Sequence, residues 1–116
     1  MTMNERIIQA VKPVVPVCVP DLYDPNQNEA AEEFCVFSYD AEWTFYADNS
    51  PMYTEYSGSL NWALPLKKAS LVKKANLQRT LERAGFDLQG IYNTSTEEFQ
   101  MYEFQWSYTD FFGGEP

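Results

Sequence analysis

Two neighbouring stretches of the chain alternate between apolar and polar residues. Between residues 34 and 46, one side consists of Cys35, Phe37, Tyr39, Ala41, Trp43 and Phe45, and the other of Ser38, Asp40, Glu42 and Thr44. Between residues 53 and 64, the apolar side consists of Tyr56, Leu60, Trp62 and Leu64. A period of two is typical of strands with one buried face. Residues 47–51, ADNSP, favour a tight turn, so we expect an antiparallel hairpin.

A third alternating stretch covers residues 100–110. Its apolar side consists of Tyr102, Phe104, Trp106 and Tyr108. This pattern predicts a third strand beside the hairpin. Gly58 falls on the apolar side of the second strand, where it indicates a bulge or a close approach by another element.

A period of 3.6 residues predicts a helix from about Leu71 to Ala84, with Ser70 as its N-cap. Gly85 is expected to end this helix in the left-handed conformation, with Phe86 folding back onto the last turn. The side that packs on the sheet is expected to consist of Leu71, Ala75, Leu77, Leu81 and Ala84. A short N-terminal helix is also predicted, capped by Asn4, ended by Pro13, and with Ile7, Ile8 and Val11 on one face.

The remaining segments carry weaker patterns. The run PVVPVCVPDLYDP, residues 13–25, indicates an edge strand or an irregular crossover, because Val favours extended backbone and Pro lacks an amide donor. We predict an exposed acidic loop at 24–33, a linker at 87–98 and a loose C-terminal tail at 111–116.

Without a repeated βαβ unit, the pattern predicts one α+β domain over residues 1–116. Its antiparallel sheet has three to four strands, with the short N-terminal helix and the longer helix packed on one face.

The charge of the chain is divided unevenly. Six of the eight basic residues lie within residues 67–86, against the single acid Glu82, so this segment is about +5 and the rest about −14 in a chain of net charge −9. Phosphate affinity comes mainly from Lys and Arg, so an acidic body argues against direct nucleic-acid binding. A basic helix on such a body is complementary to copies of the same subunit, although a solvated amphipathic helix is an alternative. The predicted subunit interface consists of Lys67, Lys68, Lys73, Arg79 and Arg83.

Residues suited to catalysis are sparse. The chain has no histidine, which removes the commonest general base and metal ligand. Cys18 and Cys35 lack CxxC spacing and a His partner, so we expect buried structural thiols in place of a nucleophile or redox pair. Acidic pairs such as Asp40 and Glu42 match no recognised metal loop. We therefore predict no enzyme activity, no cofactor and no metal.

The strand aromatics are expected to form an apolar core, and the two cysteines without a secretory leader favour an intracellular protein. The aromatics could stack on single-stranded nucleic acid, but no basic residues are interleaved with them, so they are expected in the core. No apolar run approaches the ~20 residues needed to cross a bilayer, and no secretory leader precedes the cysteines. We expect a reduced protein without membrane association.

Four features together carry a resemblance to a known family. These are the NERII helix, the hairpin, the LQRTLERAGF segment at 77–86 and the closing alternating strand. Over most of the chain they resemble the small tail-terminator or tail-completion proteins of long-tailed bacteriophages and prophages, with LxxxLxxAGF the closest local match. The resemblance implies an α+β homo-oligomer, a ring that is commonly a hexamer, which caps the tail tube and meets the head-completion proteins. It implies no catalytic residues, and a location in the virion and, during assembly, in the host cytoplasm.

We therefore expect a structural virion protein. One alternative is an acidic inhibitor that mimics DNA, presenting Asp40, Glu42, Glu55 and Glu103 along an exposed sheet face in place of phosphates. A small metal-dependent hydrolase is a further alternative.

Overall fold

The computed structural model describes residues 2–21, 32–45 and 51–110, and only the backbone of residues 43–45, 51 and 52. Its elements in chain order are α1 (Met3–Val11), β1 (Cys18–Pro20), β2 (Phe34–Phe45), β3 (Pro51–Pro65), α2 (Leu71–Arg83), β4 (Asp87–Asn93) and β5 (Phe99–Asp110). Four predictions lie outside the described residues: the turn at 47–50, the acidic loop over 24–31, the tail at 111–116, and the inward side chains of Trp43 and Phe45.

The strands form one sheet in the order β1-β2-β3-β5-β4. Strands β2 and β3 form the predicted antiparallel hairpin, in which Phe37 lies opposite Leu60. Strand β5 pairs antiparallel with β3, with Phe104 opposite Leu60. The α+β class and the two helices are confirmed. The predicted antiparallel sheet of three to four strands is corrected to a mixed sheet of five.

The two edge strands account for that correction. Strand β1 pairs parallel to β2, and the amide of Cys35 donates to the carbonyl of Val17 at 2.8 Å. Strand β4 replaces the first half of the predicted linker and pairs antiparallel with β5. Its register shifts between Leu88 and Gly90. Because this irregularity interrupts the period of two, the sequence of β4 shows no clear alternation.

One face of the sheet and the two helices enclose the core. The largest buried side chains from the strands are Phe37, Tyr56, Leu60, Trp62, Leu64, Phe104 and Trp106. All of them were predicted on the inward side. Ala41, predicted with them, is exposed, because alternation determines the face of a residue but not whether another element covers it.

Gly58 lies where two strands approach closely. A Cβ atom added to Gly58 would lie 2.1 Å from the carbonyl oxygen of Ser38 and 2.7 Å from the Cα of Tyr39. The predicted close approach is therefore confirmed, and the approaching element is the neighbouring strand β2. Glycine fits this position because any side chain would overlap that backbone.

Helix α1 begins two residues earlier than predicted, because its N-cap is Thr2 and not Asn4. The hydroxyl of Thr2 accepts from the amide of Glu5 at 3.2 Å, and the Glu5 carboxylate accepts from the amide of Thr2 at 3.2 Å. This reciprocal pair is a capping box. Asn4, the predicted cap, instead accepts a 2.7 Å hydrogen bond from the Tyr39 hydroxyl. The prediction missed Thr2 because Asn4 is an equally good capping residue type.

Helix α2 starts and ends close to its predicted bounds, but the predicted side-chain cap at its start does not form. Gly85 has φ +97°, and the amide of Phe86 donates to the carbonyl of Leu81 at 3.1 Å, which is the Schellman pattern. Phe86 is buried against Trp106, with 5.1 Å between ring centroids. The Ser70 side chain makes no capping bond to the helix. Neither helix within the described ranges is long and apolar enough to span a membrane.

Candidate assembly surfaces

Helix α2 has a narrow buried line and a broad exposed side. Leu77 and Leu81 are fully buried, whereas Leu71 is 81% exposed and Ala75 is also exposed. At 100° per residue, Leu71 and Ala75 lie roughly 100° or more from the line through Leu77 and Leu81. The predicted packing of the whole apolar side, which included the exposed Ala84, was therefore wrong.

Two lysines flank the buried line and interact within the chain. The ammonium of Lys73 forms an ion pair with the carboxylate of Glu33, which also accepts a 2.9 Å hydrogen bond from the indole Nε1 of Trp62. The ammonium of Lys74 lies 4.9 Å from the ring centroid of Tyr102, in a cation–π contact. The charge of Lys73, a predicted interface residue, is thus compensated by its own chain.

Glu33 has a structural role that the sequence did not indicate. It belonged to the predicted exposed acidic loop, but its side chain is 10% exposed. The sequence contains only an indirect indication of this role: a buried Trp usually finds an acceptor for its N–H group, but the acceptor is not specified. The distance along the chain between Glu33 and Trp62 hides that relationship.

The other predicted interface residues are exposed. Arg79 and Arg83 lie on the side of α2 away from the sheet, and neither has an ion-pair partner among the residues that the structure describes. Lys67 and Lys68 are exposed in the turn between β3 and α2. The side-chain amide of Gln100 holds this turn by donating to the carbonyls of Pro65 and Lys68, each at 2.8 Å. No pattern in the sequence marked Gln100 for this role.

Large apolar side chains accompany these cations. Leu66, Leu71 and Val72 are 51%, 81% and 75% exposed. We define the α2 outer surface as Leu66, Lys67, Lys68, Leu71, Val72, Arg79 and Arg83. Exposed apolar groups beside unpaired cations are typical of a surface that binds another protein.

The opposite face of the sheet is polar and acidic. We define the open sheet face as Ser38, Asp40, Glu42, Glu55, Ser57, Ser59, Asn61, Glu103, Gln105 and Ser107, all exposed or half-buried. Glu42 lies directly opposite Glu55 in the sheet, an arrangement of like charges that costs stability unless a cation is nearby. A shallow depression of about 640 Å³ lies near its centre, lined by Asp40, Ser57 and Gln105 among others.

The two layers of the molecule therefore carry opposite charge. All eight basic residues lie on the helices or in the turns that flank them, including Arg6, which donates to the Tyr108 hydroxyl at 3.1 Å. The five described strands contain no Lys or Arg. Their acidic residues are Asp40, Glu42, Glu55, Asp87, Glu103 and Asp110.

Groups for chemistry are few in the described part of the chain. No three of its His, Cys, Asp and Glu side chains are grouped so that they could hold a metal ion. Cys18 and Cys35 are free thiols and buried, as predicted. They are also direct partners in the β1–β2 register, a proximity that their spacing along the sequence did not indicate. Burial raises the pKa of Cys18 to about 12.

Comparison with known proteins assigns no family, since no family model matches the chain and no curated protein is significantly similar to it.

Proposed function

We propose that this chain is a structural subunit of a bacteriophage or prophage tail, a tail-terminator or tail-completion protein that forms a ring at the head–tail junction. The observation that carries the proposal is the opposite charge of two outer surfaces. The cations of the α2 outer surface lie on one side of the sheet, and Asp40, Glu42, Glu55 and Glu103 lie on the other. Support also comes from the sequence resemblance described above.

The placement of the two surfaces favours head-to-tail association. An isologous dimer would pair each surface with itself and bring like charges together. A heterologous contact instead places Arg79 and Arg83 of one copy near the Glu42 and Glu55 pair of the next. When the rotation between copies closes, such contacts produce a ring, and otherwise they produce a filament.

The apolar residues add a reason for stable contact. Charge complementarity alone gives orientation and association rate more than affinity. Leu71 and Val72 are the most exposed large apolar side chains in the described part of the protein. Their burial in an interface would supply roughly 1.5–3 kcal/mol each at most.

The test is the mass of the protein in solution, measured by light scattering and native mass spectrometry. We expect the wild-type chain to form a closed ring of defined copy number, and the Arg79→Glu/Arg83→Glu variant to dissociate into monomers. Lys12→Glu is the control, because Lys12 is an exposed cation of the helix layer that lies outside the α2 outer surface. It should leave the ring intact.

A compensating variant makes the test specific. Adding Glu42→Arg and Glu55→Arg to the Arg79→Glu/Arg83→Glu chain restores opposite charges between copies, so assembly should return. A wild-type monomer would refute the ring. Assembly that persists in Arg79→Glu/Arg83→Glu would refute the electrostatic contact.

The tail assignment has its own test in the neighbouring genes, since tail genes lie in a nearly fixed order.

A second candidate function is an acidic DNA mimic that inhibits a nucleic-acid-binding host protein. The observation in its favour is that the four predicted acidic residues share one face of the sheet and that no cation lies among them. This candidate predicts a monomer or dimer that displaces DNA from a DNA-binding enzyme. Displacement should weaken in Glu42→Gln/Glu55→Gln, whereas a ring without displacement favours the tail subunit.

A further inference from the structure

We propose that Cys18 and Cys35 form a site of reversible covalent modification, an intrachain disulfide that links strand β1 to strand β2. The two residues are direct partners in the parallel β1–β2 register. Both belong to the hydrophobic core, so both side chains lie on the same face of the sheet. Neither is used by the proposed assembly surfaces.

The geometry of the pair suits a disulfide. Neighbouring strands lie about 4.8 Å apart, and the Cα atoms of disulfide-bonded residues are usually about 4.4–6.8 Å apart. The Cβ atoms must approach to about 3.8 Å, so the strands need to shift locally by about an ångström. Strand β1 can make this shift because it has three residues and lies at the edge of the sheet.

The surroundings of the thiols determine the order of the reaction. Cys35 is fully buried between Cys18 and Trp62 of the neighbouring strands, whereas Cys18 is 9% exposed at the edge. A small disulfide oxidant such as glutathione disulfide therefore meets Cys18 first. Burial raises the pKa of both thiols, and the Cys18 thiol further raises that of Cys35. Because the thiolate is the reactive form, the reaction requires a brief opening of β1.

The reaction balances in two exchange steps. The Cys18 thiol loses its proton to water, and its thiolate attacks one sulfur of glutathione disulfide, which forms a mixed disulfide and releases one glutathione thiolate. The Cys35 thiol then loses its proton, and its thiolate attacks the Cys18 sulfur and releases the second glutathione. Two protein thiols are oxidised and one small disulfide is reduced to two thiols.

The product should stabilise the fold. The bond closes a loop that includes the connection between β1 and β2, and it removes conformations from the unfolded chain. For a loop of this length in a chain of this size, we expect the melting temperature to rise by roughly 10 °C.

The experiment incubates the full chain with glutathione disulfide in native buffer and in sub-denaturing urea, followed by intact mass and thiol titration. We expect the wild type to lose two hydrogens, gain no glutathione, form no disulfide between chains, retain no free thiol and melt at a higher temperature. Cys18→Ala and Cys35→Ala cannot form the internal bond, so neither should gain melting temperature. The Cys35→Ala chain should retain a glutathione adduct on Cys18.

The wild-type result decides the question even if a cysteine variant fails to fold. A chain that keeps both thiols under both conditions would overturn the proposal. The same holds for a wild-type chain that retains glutathione on either cysteine, or that forms only disulfides between chains.

Discussion

The two faces of the sheet are built from the same strands and differ in what covers them. On one face Trp62, Phe104 and Trp106 are buried beneath the helices, and on the other Ser57, Gln105 and their neighbours face solvent. Along β5, for example, the core residues Tyr102, Phe104 and Trp106 are each followed by a residue of the open sheet face, namely Glu103, Gln105 and Ser107. The fold and the acidic surface therefore arise from one alternating pattern.

Charge is separated by layer in the same molecule. Core positions on the strands exclude charged groups, and the open sheet face consists of Ser, Asn, Gln, Asp and Glu without any Lys or Arg. The cations are confined to the helices and the turns that flank them, where Lys73 pairs with Glu33 and Lys74 contacts the ring of Tyr102, while Arg79 and Arg83 are exposed. Five of the eight basic residues, Lys12, Lys67, Lys68, Arg79 and Arg83, are exposed and have no ion-pair partner among the described residues.

The sharpest test of the two-faced sheet is a pair of adjacent substitutions on β5. Phe104 is fully buried and Gln105 is exposed. Phe104→Ala should lower the free energy of unfolding by about 3–5 kcal/mol, because it leaves a cavity in the core. Gln105→Ala should change it by less than about 0.5 kcal/mol. Urea unfolding of both variants measures the difference, and similar losses would contradict the assignment of the faces.

The link between the layers provides the next largest effect. Glu33→Ala leaves the buried N–H of Trp62 without its acceptor and Lys73 without its ion pair, so it should cost about 1–3 kcal/mol. Glu32→Ala is the matched control, because Glu32 is exposed. Thermal or urea unfolding of the two variants provides the measurement. Equal effects would mean that Glu33 is only another acidic residue of the loop.

The elements that were predicted correctly have local signals. Alternation identified β2, β3 and β5 and the acidic positions of the open sheet face, and Gly85 with Phe86 identified the end of α2. Arg79 and Arg83 were outside the predicted packing side of α2, and both are exposed. In each case residues within one turn or one strand contain the information.

The features that were missed depend on distant partners or on broken patterns, and among them is the pairing of β1, whose edge position was one of the two predicted alternatives. Parallel pairing of β1 is determined by residues of β2 far along the chain, and the register shift at Gly90 removes the alternation of β4. The role of Glu33 is determined by Trp62, 29 residues away. The exposure of Leu71 depends on where the sheet lies relative to the helix, which a helical pattern alone does not specify.

The smallest expected effect lies at the start of the helix layer, where Thr2 and Glu5 cap α1. Thr2→Ala removes the hydroxyl that accepts from the Glu5 amide, and it should cost about 1 kcal/mol. Asn4→Ala tests the predicted cap. This substitution removes the acceptor of the Tyr39 hydroxyl and leaves the Thr2–Glu5 capping box intact, so the helix content should not change. Helix content and thermal unfolding of both variants provide the comparison. Loss of helix content in Asn4→Ala alone would show that Thr2 is not the cap.

The same capping box predicts a dependence on pH. The backbone amide of Thr2 donates to the Glu5 carboxylate, and this bond has the largest effect in lowering the pKa of Glu5 below its ordinary value of 4.5. A hydrogen bond from the Thr2 hydroxyl has the next largest effect. Because the folded pKa lies below the unfolded one, this stabilisation is fully present above the unfolded value and is lost as the pH falls through the folded value. The stability difference between wild type and Glu5→Gln should therefore shrink as the pH falls from about 5 to about 2. Thermal unfolding across that range measures it, and a constant difference would mean that the charge of Glu5 does not contribute to the cap.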